Sequence, residues 1–376
     1  MSTRISRIGL SRRSWIERIR PWVAVFDRPL LIALIVLVAV SLLAQYSAAL
    51  GFPGRFEGHL RNLGIAAVAM WLAALVPPGK LMRLAVPLYV VGLALLIAVA
   101  LFGVTNKGAQ RWLDLGLIRI QPSEIMKLAM PLLLAWFFQQ RDGWLRARDH
   151  ALAALLLAVP VLLVARQPDL GTAILVLAAG AYVIFFAGLS WKVIGALLVA
   201  GLASLPLLWM VMHDYQRQRV LTLIDPTADP LGKGFHIIQS IIAVGSGGWF
   251  GKGWTDGTQA HLEFIPERTT DFILAVFAEE FGLFGLLILM AIYLAIILRG
   301  LAIAGAAQSV FGRLLAAAIT LSFFTYCFVN MGMVIGLLPV VGVPLPWMSY
   351  GGTAMVTLGL GAGMLMSIAR HRGQNA

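Results

Sequence analysis

The sequence has very few cysteines and few charges. Its single cysteine, Cys327, lies inside an apolar run, which excludes both a disulfide framework and a cysteine-based metal cluster. Charged residues make up only 12% of the chain, against about 25% in an average soluble domain. Because 60% of the residues are hydrophobic and the mean hydropathy is +0.87, water cannot be the main solvent around this chain. The composition therefore predicts an integral membrane protein.

Most of the charges that are present are positive. Lysine and arginine number 29 against 17 aspartates and glutamates, which gives a formal net charge of +12. Binding to nucleic acid would need a basic patch on a soluble surface, but apolar runs continue almost end to end and leave no such surface. The better explanation is the enrichment of lysine and arginine in the cytoplasmic loops of membrane proteins. We therefore expect one membrane domain and no nucleic-acid partner.

Ten apolar segments are candidates for helices that cross the membrane, which takes roughly 20 apolar residues each. The first is longer than the core of a signal peptide, and no cleavage pattern follows it closely, so we expect it to be retained. The second, fourth and fifth segments are short; they need flanking residues to complete a span, or they are buried inside the bundle. The ten segments are 30–50, 63–76, 84–102, 125–138, 151–165, 170–189, 191–212, 272–298, 314–338 and 348–368.

The distribution of lysine and arginine predicts which loops face the cytoplasm. With the N-terminus inside, 17 of these residues fall in cytoplasmic segments and 6 in the short outer loops, as the positive-inside rule requires. The predicted fold class is an all-α integral membrane protein of about ten transmembrane helices with both termini in the cytoplasm. It comprises a basic cytoplasmic tail (1–29), a polytopic membrane domain (30–369) and a cytoplasmic tail (370–376). A large extracytoplasmic loop (213–270) separates the seventh and eighth helices.

The large outer loop does not have a disorder-like composition. Residues 235–244 form an apolar, helix-like stretch that is too short to cross the bilayer. Several glycines follow it, with Trp249 and Trp254 among them. We expect this segment to lie at the membrane interface or to re-enter the bundle. No internal repeat is visible, which weakens the prediction of a transporter built from duplicated halves.

Charged side chains at membrane depth are costly, so they are candidates for functional residues. Pro122 and Ser123 begin a predicted helix, and Glu124 falls in its first turn, where the helix dipole favours an acid. Lys127 lies three residues further on, on the same helical face and already at membrane depth. The two side chains form an internal ion pair with a structural role, or they contact a ligand. Their spacing leaves both interpretations open.

Two aspartates stand at predicted helix starts. Asp169 follows Pro168 in a tight outer hairpin, which is ordinary turn and N-cap chemistry. Asp271 lies where the large outer loop meets the eighth predicted helix. It either caps that helix or presents a carboxylate at the lipid–water boundary, where a proton acceptor for a lipid-linked substrate is needed. Glu279 and Glu280 lie about two turns deeper, and we expect one of them to pair with a buried cation or a helix end.

A fourth segment, residues 338–352, is rich in proline and glycine at an outer membrane edge. Irregular backbone at that depth is tolerated only where it is buried in protein or lines a cavity. We interpret the segment as a loop that lines a substrate cavity, with a plain turn as the alternative.

Taken together, these segments resemble the SEDS proteins of bacterial shape, elongation, division and sporulation. The resemblance covers almost the whole chain after the N-terminal tail, with the motifs in the family's order and on the expected side of the membrane. Three stretches are most similar to the elongation branch of the family, the RodA type, rather than to its division branch. They are 111–116 (RWLDLG), 257–267 (GTQAHLEFIPE) and 338–346 (LPVVGVPLP).

The resemblance implies a peptidoglycan glycosyltransferase that polymerises lipid II into glycan strands on the outer leaflet during cell elongation. It implies that Asp271 is the catalytic carboxylate. It further implies that Glu124, Lys127, Asp169 and Ser349 belong to the substrate-binding site.

The implied chemistry is one displacement with inversion, since lipid II carries its sugar through an α-linked pyrophosphate and the glycan product is β-1,4-linked. Such a step needs a base for the acceptor hydroxyl and positive charge for the departing undecaprenyl pyrophosphate. An aspartate with an ordinary pKa of about 3.9 is ionised at neutral pH and can serve as that base. The candidate ligands for the pyrophosphate are Lys127, Arg111, Arg219 and Lys252, together with a divalent cation, Mg²⁺ or Mn²⁺.

Two other functions stay open at this point. A transporter that moves lipid II or another lipid-linked sugar across the bilayer would explain the intramembrane charges. A non-catalytic scaffold for a wall-synthesis complex would explain the membrane domain. The polymerase is favoured because no inverted repeat is visible and the polar cluster is biased to the outer face.

The resemblance also implies a location and a set of partners. The protein is expected in the bacterial cytoplasmic (inner) membrane, with its active site on the periplasmic side. Besides lipid II and membrane lipids, the expected partners are elongation-complex proteins and a class B penicillin-binding transpeptidase, which crosslinks what the polymerase makes.

Overall fold

The computed structural model describes residues 25–106, 109–114, 116, 119–141, 145–212, 214–228, 234–261, 264–265 and 267–371. Most of the predicted N-terminal tail (1–24) and of the C-terminal tail (372–376) lies outside these residues. The described chain folds into helices, three short strands and one 3₁₀ turn, Pro226–Ala228. In chain order the helices and strands are α1 Arg28–Ala48, α2 Arg55–Leu75, α3 Pro78–Phe102, β1 Val104–Asn106, β2 Ala109–Asp114, β3 Arg119–Ile120, α4 Pro122–Gln139, α5 Ala147–Arg166, α6 Leu170–Phe186, α7 Trp191–Val211, α8 Asp214–Ile224, α9 Phe235–Ser246, α10 Thr258–His261, α11 Ile273–Gly305, α12 Val310–Val334 and α13 Gly352–Arg370.

Each of the ten predicted spans corresponds to a long helix in the described chain. Seven of them (α1, α2, α3, α5, α11, α12 and α13) are long and apolar enough to cross a membrane, by length and composition. Flanking residues complete two of the short segments, since α2 and α5 extend to 21 and 20 residues. The remaining short segment, 125–138, is buried inside the bundle as α4, in which fourteen of the 18 residues are buried.

Helices α4, α12 and α13 contribute many of the buried residues of the bundle. Helix α4 packs against α3, α6 and α12, and α13 packs closely along α2. Gly359 on α13 faces α2 so closely that a Cβ atom would lie 2.4 Å from the Ala66 carbonyl oxygen. Small residues allow this approach between membrane helices, where close packing replaces the hydrophobic effect as the source of association.

Helix α7 differs from the other long helices. None of its described side chains is buried, and it makes no extensive contact with another helix among the residues that the structure describes. A helix that is apolar on all sides and unpacked fits a lipid environment rather than water.

A small antiparallel sheet lies on the link between α3 and α4. Strand β2 pairs with β1 on one side and with β3 on the other. The prediction of an all-α protein omits this sheet. Strands of three, six and two residues are too short to give a recognisable alternating pattern. Strand β2 carries Arg111, one of the predicted site residues.

The region between α7 and α11 contains three short helices and the 3₁₀ turn. The apolar stretch predicted to lie at the interface or to re-enter the bundle forms α9, which packs against α11 and α12. Its buried face includes Ile237, Ser240 and Ala243. Ser240 Oγ donates a hydrogen bond to the Val334 carbonyl oxygen over 2.7 Å. This part of the outer loop is therefore attached to the bundle.

Helix α11 is broken at Gly282, whose φ of 63° and ψ of −164° lie outside the helical region. Backbone groups of residues 248–253 bind the amides and carbonyls that the break releases, so the interruption leaves these four pairs satisfied. The four hydrogen bonds run from the amides of Lys252, Gly253, Leu283 and Phe284 to the carbonyl oxygens of Glu279, Glu280, Gly248 and Trp249, over 2.9–3.2 Å.

Replacing Gly282 with alanine is expected to destabilise the protein. This backbone conformation is nearly exclusive to glycine and costs other residues about 1–3 kcal/mol. A Cβ atom would also lie 2.3 Å from the backbone nitrogen of Gly251. The midpoint of thermal unfolding, followed by tryptophan fluorescence of the purified protein in detergent, should fall by several degrees.

The matched control is Gly305→Ala at the end of the same helix, where an added Cβ meets no atom within 4 Å. Alanine should leave the midpoint unchanged there or raise it slightly, since alanine is a better helix former than glycine. Equal midpoints for the two variants would contradict the role assigned to the break.

Candidate active site

Residues 267–272 join the outer loop to α11 and carry Asp271. The N-cap of α11 is Phe272, so Asp271 precedes the cap position rather than occupying it. One of the two interpretations of this residue, that it serves as the N-cap of the helix, is therefore wrong. Asp271 is half-buried and lies on non-helical backbone, so its position depends on what holds that backbone.

Three consecutive carbonyl groups of this segment accept hydrogen bonds from side chains on three other elements. These bonds fix the backbone at Asp271 and at the two residues before it. The donors are Gln45 Nε2 on α1 to Thr269 (2.7 Å), Ser349 Oγ to Thr270 (2.6 Å) and Asn330 Nδ2 on α12 to Asp271 (2.9 Å).

Arg268 ties the same segment to the link between α1 and α2. Its guanidinium donates to the carbonyl oxygens of Ala48 and Leu50 over 3.0 and 2.6 Å, and it lies 4.5 Å from the centre of the Phe52 ring. The side chain is almost fully buried. Carbonyls at the end of a helix lack partners in a following turn, and Arg268 supplies donors to them at the end of α1.

The proline- and glycine-rich segment lies against Asp271. A Cβ atom on Gly342 would be 3.5 Å from Asp271 Oδ2. One residue earlier, the Val341 carbonyl oxygen packs against α6 so closely that a Cβ on Gly171 would lie 2.6 Å away. Residues 341–342 therefore lie next to both the Asp271 carboxylate and the start of α6. Several side chains of the segment are buried, as irregular backbone at this depth requires.

Asp169 is the N-cap of α6, and its carboxylate accepts from the Thr172 amide over 3.2 Å, as the turn chemistry predicts. The same carboxylate lies 3.6 Å from Arg111 Nε and accepts from Gln121 Nε2 over 3.3 Å. Arg111 also donates to the Pro168 carbonyl oxygen over 2.7 Å. The small sheet and the start of α6 thus bring two predicted site residues, Arg111 and Asp169, into contact.

Glu124 and Lys127 form the buried ion pair that their spacing allows. Lys127 Nζ lies 2.6 Å from Glu124 Oε1 and donates to the Tyr326 hydroxyl over 2.5 Å. Thr357 Oγ1 donates to Glu124 Oε2 over 3.1 Å. Additional hydrogen bonds of this kind are what a buried ion pair needs to offset its loss of hydration.

The pair lies between two cavities. Glu124 lines an apolar groove of about 700 Å³ between α2, α3, α4 and α13. Lys127 lines a separate, small cavity of about 60 Å³ inside the bundle. The polar residues of the groove lie near the starts of α2, α4 and α13, and the rest of its lining is almost entirely aliphatic. These polar residues are Asn62, Gln121, Glu124, Thr353 and Thr357.

Lys252 pairs with Glu279 over 2.7 Å and donates to Thr258 Oγ1 over 2.8 Å. Glu279 also accepts from the Thr258 amide over 3.0 Å. One of the two neighbouring glutamates was predicted to pair with a buried cation or a helix end. Glu279 meets the second alternative, because it accepts from the Thr258 and Gln259 amides at the start of α10, whereas its cation, Lys252, is exposed. Glu280 instead accepts a hydrogen bond from Ser47 on α1. Lys252 is thus committed to holding the outer loop against α11.

Arg219 is half-buried and lies on α8, which packs mainly against the 3₁₀ turn that follows it. The residues that the structure groups at this end of the bundle are Asp271, Ser349, Asp169, Arg111, Glu124 and Lys127.

A bound divalent cation would need several oxygen ligands. No group of three or more His, Cys, Asp or Glu side chains is arranged to hold a metal ion within the part of the chain that the structure describes. These residues therefore form no all-protein cage for Mg²⁺ or Mn²⁺, and we derive no step through one.

The sequence interpretation leaves out Gln45, Asn330 and Tyr326, which make central contacts in the site. Each is a polar side chain within an otherwise apolar helix. Such a group is costly in a membrane unless it has a partner, so this signal was available in the sequence. The identity of the partners was not.

Comparisons with known proteins place the chain in a family. It matches the sequence profile of the FtsW, RodA and SpoVE cell cycle proteins over residues 22–374. It is 51% identical to the peptidoglycan glycosyltransferase MrdB of Escherichia coli K12 over 347 residues, which cover 92% of this chain and 94% of that protein. It is 34% identical to the protein of the same name from Helicobacter pylori over 372 residues, covering 97% and 93% of the two chains.

Solved structures give the same result. The fold matches, with a TM-score of 0.80 and 33% identity, a chain of a peptidoglycan synthase complex described as coordinating polymerization and crosslinking; the match covers 93% of this chain and 99% of that one. It matches the rod shape determining protein RodA of Thermus thermophilus with a TM-score of 0.71 and 30% identity, covering 93% and 98%. These matches confirm the resemblance that the motifs indicated. The chain belongs to the FtsW/RodA/SpoVE family of cell cycle proteins.

Proposed function

We propose that this chain is a peptidoglycan glycosyltransferase of the elongation type, which polymerises lipid II into β-1,4-linked glycan strands and releases undecaprenyl pyrophosphate. The observation that carries this proposal is the 51% identity to Escherichia coli MrdB, which extends over 92% of this chain. The chain is a multi-pass membrane protein, so its substrate can reach it from the lipid phase.

In this proposal Asp271 is the general base. The 4-hydroxyl of the acceptor sugar gives its proton to the Asp271 carboxylate while its oxygen forms a bond to the anomeric carbon of the donor. The bond from that carbon to the pyrophosphate breaks, and the pyrophosphate leaves with the electron pair. Attack opposite the α-linked leaving group gives the β product. A base held in place before the substrate arrives is favoured, because misplacement by about 1 Å can cost 10²-fold in rate.

The remaining site residues supply charge and position. Arg111 is assigned to the pyrophosphate first, because its side chain is 31% exposed while Asp169 orients it. Lys127, which is 6% exposed, contributes positive charge from inside the bundle, where Glu124 balances it. Ser349 holds the Thr270 carbonyl.

Arg219, on α8, is proposed as a further ligand of the pyrophosphate from the outer loop. Lys252 would have to leave Glu279 to reach a phosphate. In the present structure, its role is therefore to hold the loop.

The groove beside Glu124 is suited to the polyprenyl tail of a lipid-linked sugar. Its largely aliphatic lining suits the tail, and its polar residues suit the point where the tail meets the pyrophosphate. A groove of this kind is the usual form of a ligand site, mostly apolar with a few polar groups that fix orientation.

The proposed topology has ten membrane-crossing helices, with both termini in the cytoplasm and residues 213–270 on the outer face. Asp271 then lies at the periplasmic side of the inner membrane, where lipid II is polymerised. The proposed partners are a class B penicillin-binding transpeptidase and other elongation-complex proteins. The match to a synthase complex that coordinates polymerization and crosslinking supports such a partner.

Asp271→Asn should abolish most of the polymerase activity, since an amide cannot accept the proton and general-base catalysis contributes about 10²- to 10⁴-fold. The protein is purified together with its transpeptidase partner and given fluorescent lipid II in detergent. The measurement is the amount of glycan polymer, separated from unreacted lipid II on a gel. Asp225→Asn is the matched control, because Asp225 is an exposed carboxylate of the same outer loop. Normal polymerisation by Asp271→Asn would remove this residue as the base. An inactive wild-type complex that is folded would favour transport or scaffolding.

Removing one member of the Glu124–Lys127 pair should destabilise the protein. Lys127→Met leaves a buried carboxylate without its cation, which costs about 3–5 kcal/mol. The double variant Glu124→Gln with Lys127→Met removes both charges and should unfold near the wild-type temperature. If the pair also contacts the substrate, the folded double variant will show a KM for lipid II raised roughly ten-fold, a loss of about 1.4 kcal/mol. Wild-type KM in the folded double variant would assign the pair a structural role only.

The topology can be tested by cysteine labelling, because the one natural cysteine, Cys327, is buried. A cysteine introduced as Thr227→Cys in the outer loop should react with a membrane-impermeant maleimide in intact spheroplasts. A cysteine introduced as Gln140→Cys, at the opposite end of α4 from Glu124, should react only after permeabilisation. Both positions are exposed. The reverse pattern would invert the topology and exclude an outer-leaflet polymerase.

A further inference from the structure

We infer that Gln45 and Asn330 are positioning residues for the reaction proposed above: each holds the backbone of the Asp271 segment against residues 343–348. The inference rests on the proposed function for its consequence and on the hydrogen bonds of two buried carboxamides for its geometry. Neither side chain is exposed at all, at 0% each, so neither can contact the substrate directly.

Gln45 links the two segments from the α1 side. Its Nε2 donates to the Thr269 carbonyl oxygen and to the Met348 carbonyl oxygen, both over 2.7 Å. The Thr269 carbonyl accepts a second hydrogen bond, from the Tyr350 amide over 2.8 Å. The backbone two residues before Asp271 is therefore joined to residues 348–350 both directly and through Gln45.

Asn330 links the same two segments from the α12 side. Its Nδ2 donates to the carbonyl oxygen of Asp271 itself over 2.9 Å and to the Val343 carbonyl oxygen over 2.8 Å. Val343 follows Gly342, the residue whose Cβ position lies 3.5 Å from the Asp271 carboxylate. Asn330 thus sets the distance between the backbone of Asp271 and the residues that face its side chain.

The carboxamide is well suited to this task. Its NH₂ group carries two donors in one plane and no charge, so it can bridge two carbonyls without bringing an ion into the bundle. Each NH₂ must face its carbonyls, because the opposite orientation would set oxygen against oxygen. The amide oxygens, Gln45 Oε1 and Asn330 Oδ1, have no hydrogen-bond partner among the described residues. Leaving these acceptors unsatisfied is a cost that the bridging donors must offset.

Two neighbouring contacts tie α1 to the same part of the chain. Ser47 donates to Glu280, and Arg268 donates to Ala48. The end of α1 is therefore joined to residues before and after Asp271. Of these α1 side chains, Gln45 is the one that contacts both the Asp271 segment, at Thr269, and the 338–352 segment, at Met348. Loss of either carboxamide would remove one of the two bridges between the Asp271 segment and residues 343–348. The Asp271 carboxylate itself would still be present.

The experiment compares Gln45→Leu and Asn330→Leu with the wild type in the lipid II polymerisation assay. We expect kcat to fall about 10- to 100-fold, the range for a small displacement of a reacting group, while KM stays within about two-fold. Gln45→Met and Asn330→Ser are the milder replacements if a leucine variant does not fold. The control is Gln139→Met, which removes the acceptor of the Phe311 amide at the other end of α12. Phe311 and Asn330 are about 28 Å apart along that helix.

Hydrogen exchange provides a readout that does not depend on turnover. Peptides covering residues 264–272 should exchange faster in Gln45→Leu and Asn330→Leu than in the wild type, Gln139→Met or Asp271→Asn. Folded carboxamide variants with wild-type kcat, or with a raised KM and unchanged kcat, would overturn the inference, as would unchanged exchange. A wild-type protein that makes no polymer would instead defeat the proposed function, and the exchange data would still decide whether the two carboxamides hold the segment.

Discussion

A buried carbonyl group in a membrane protein must find a donor within the protein, since lipid offers none. The end of the bundle that contains Asp271 is organised by this requirement. The backbone there is not helical, so its carbonyls cannot be satisfied by a following turn. Side chains on α1, α12 and the 338–352 segment supply the donors. The irregular backbone at Asp271 is thereby held by side chains of the elements packed around it.

Three carboxylates in the same region each form an ion pair with a lysine or an arginine. Glu124 pairs with Lys127, Asp169 with Arg111 and Glu279 with Lys252. Pairing lowers the cost of burying charge, but it commits each cation to a carboxylate that would be left alone if the cation moved to a ligand. The deeper the pair, the stronger this commitment becomes. Arg111, which is more exposed, can therefore leave its carboxylate for a ligand at a lower cost than Lys127, which is buried with Glu124.

Much of the fold could be predicted from the sequence, because apolar runs of membrane length leave few alternatives. The ten helices appear where the runs lie, and α4 was recognised as either extended or buried. The ion pair of Glu124 and Lys127 was visible because its members are three residues apart. The contacts of Gln45 and Tyr326 were not, because their partners lie 224 and 199 residues away. The three-stranded sheet was not predicted, because its strands are too short to give a periodic pattern of hydrophobic residues.

The isolation of α7 has a consequence for how the protein responds to its membrane. Helices that pack against neighbours take their tilt from those neighbours, whereas α7 has no extensive helix contact among the described residues. Its tilt is then set by the thickness of the bilayer and by anchoring residues at its ends, such as Trp191. A thicker or thinner membrane would reorient α7 while the bundle around Asp271 stayed unchanged. We therefore expect bilayer thickness to affect the orientation of α7 more than that of the packed helices.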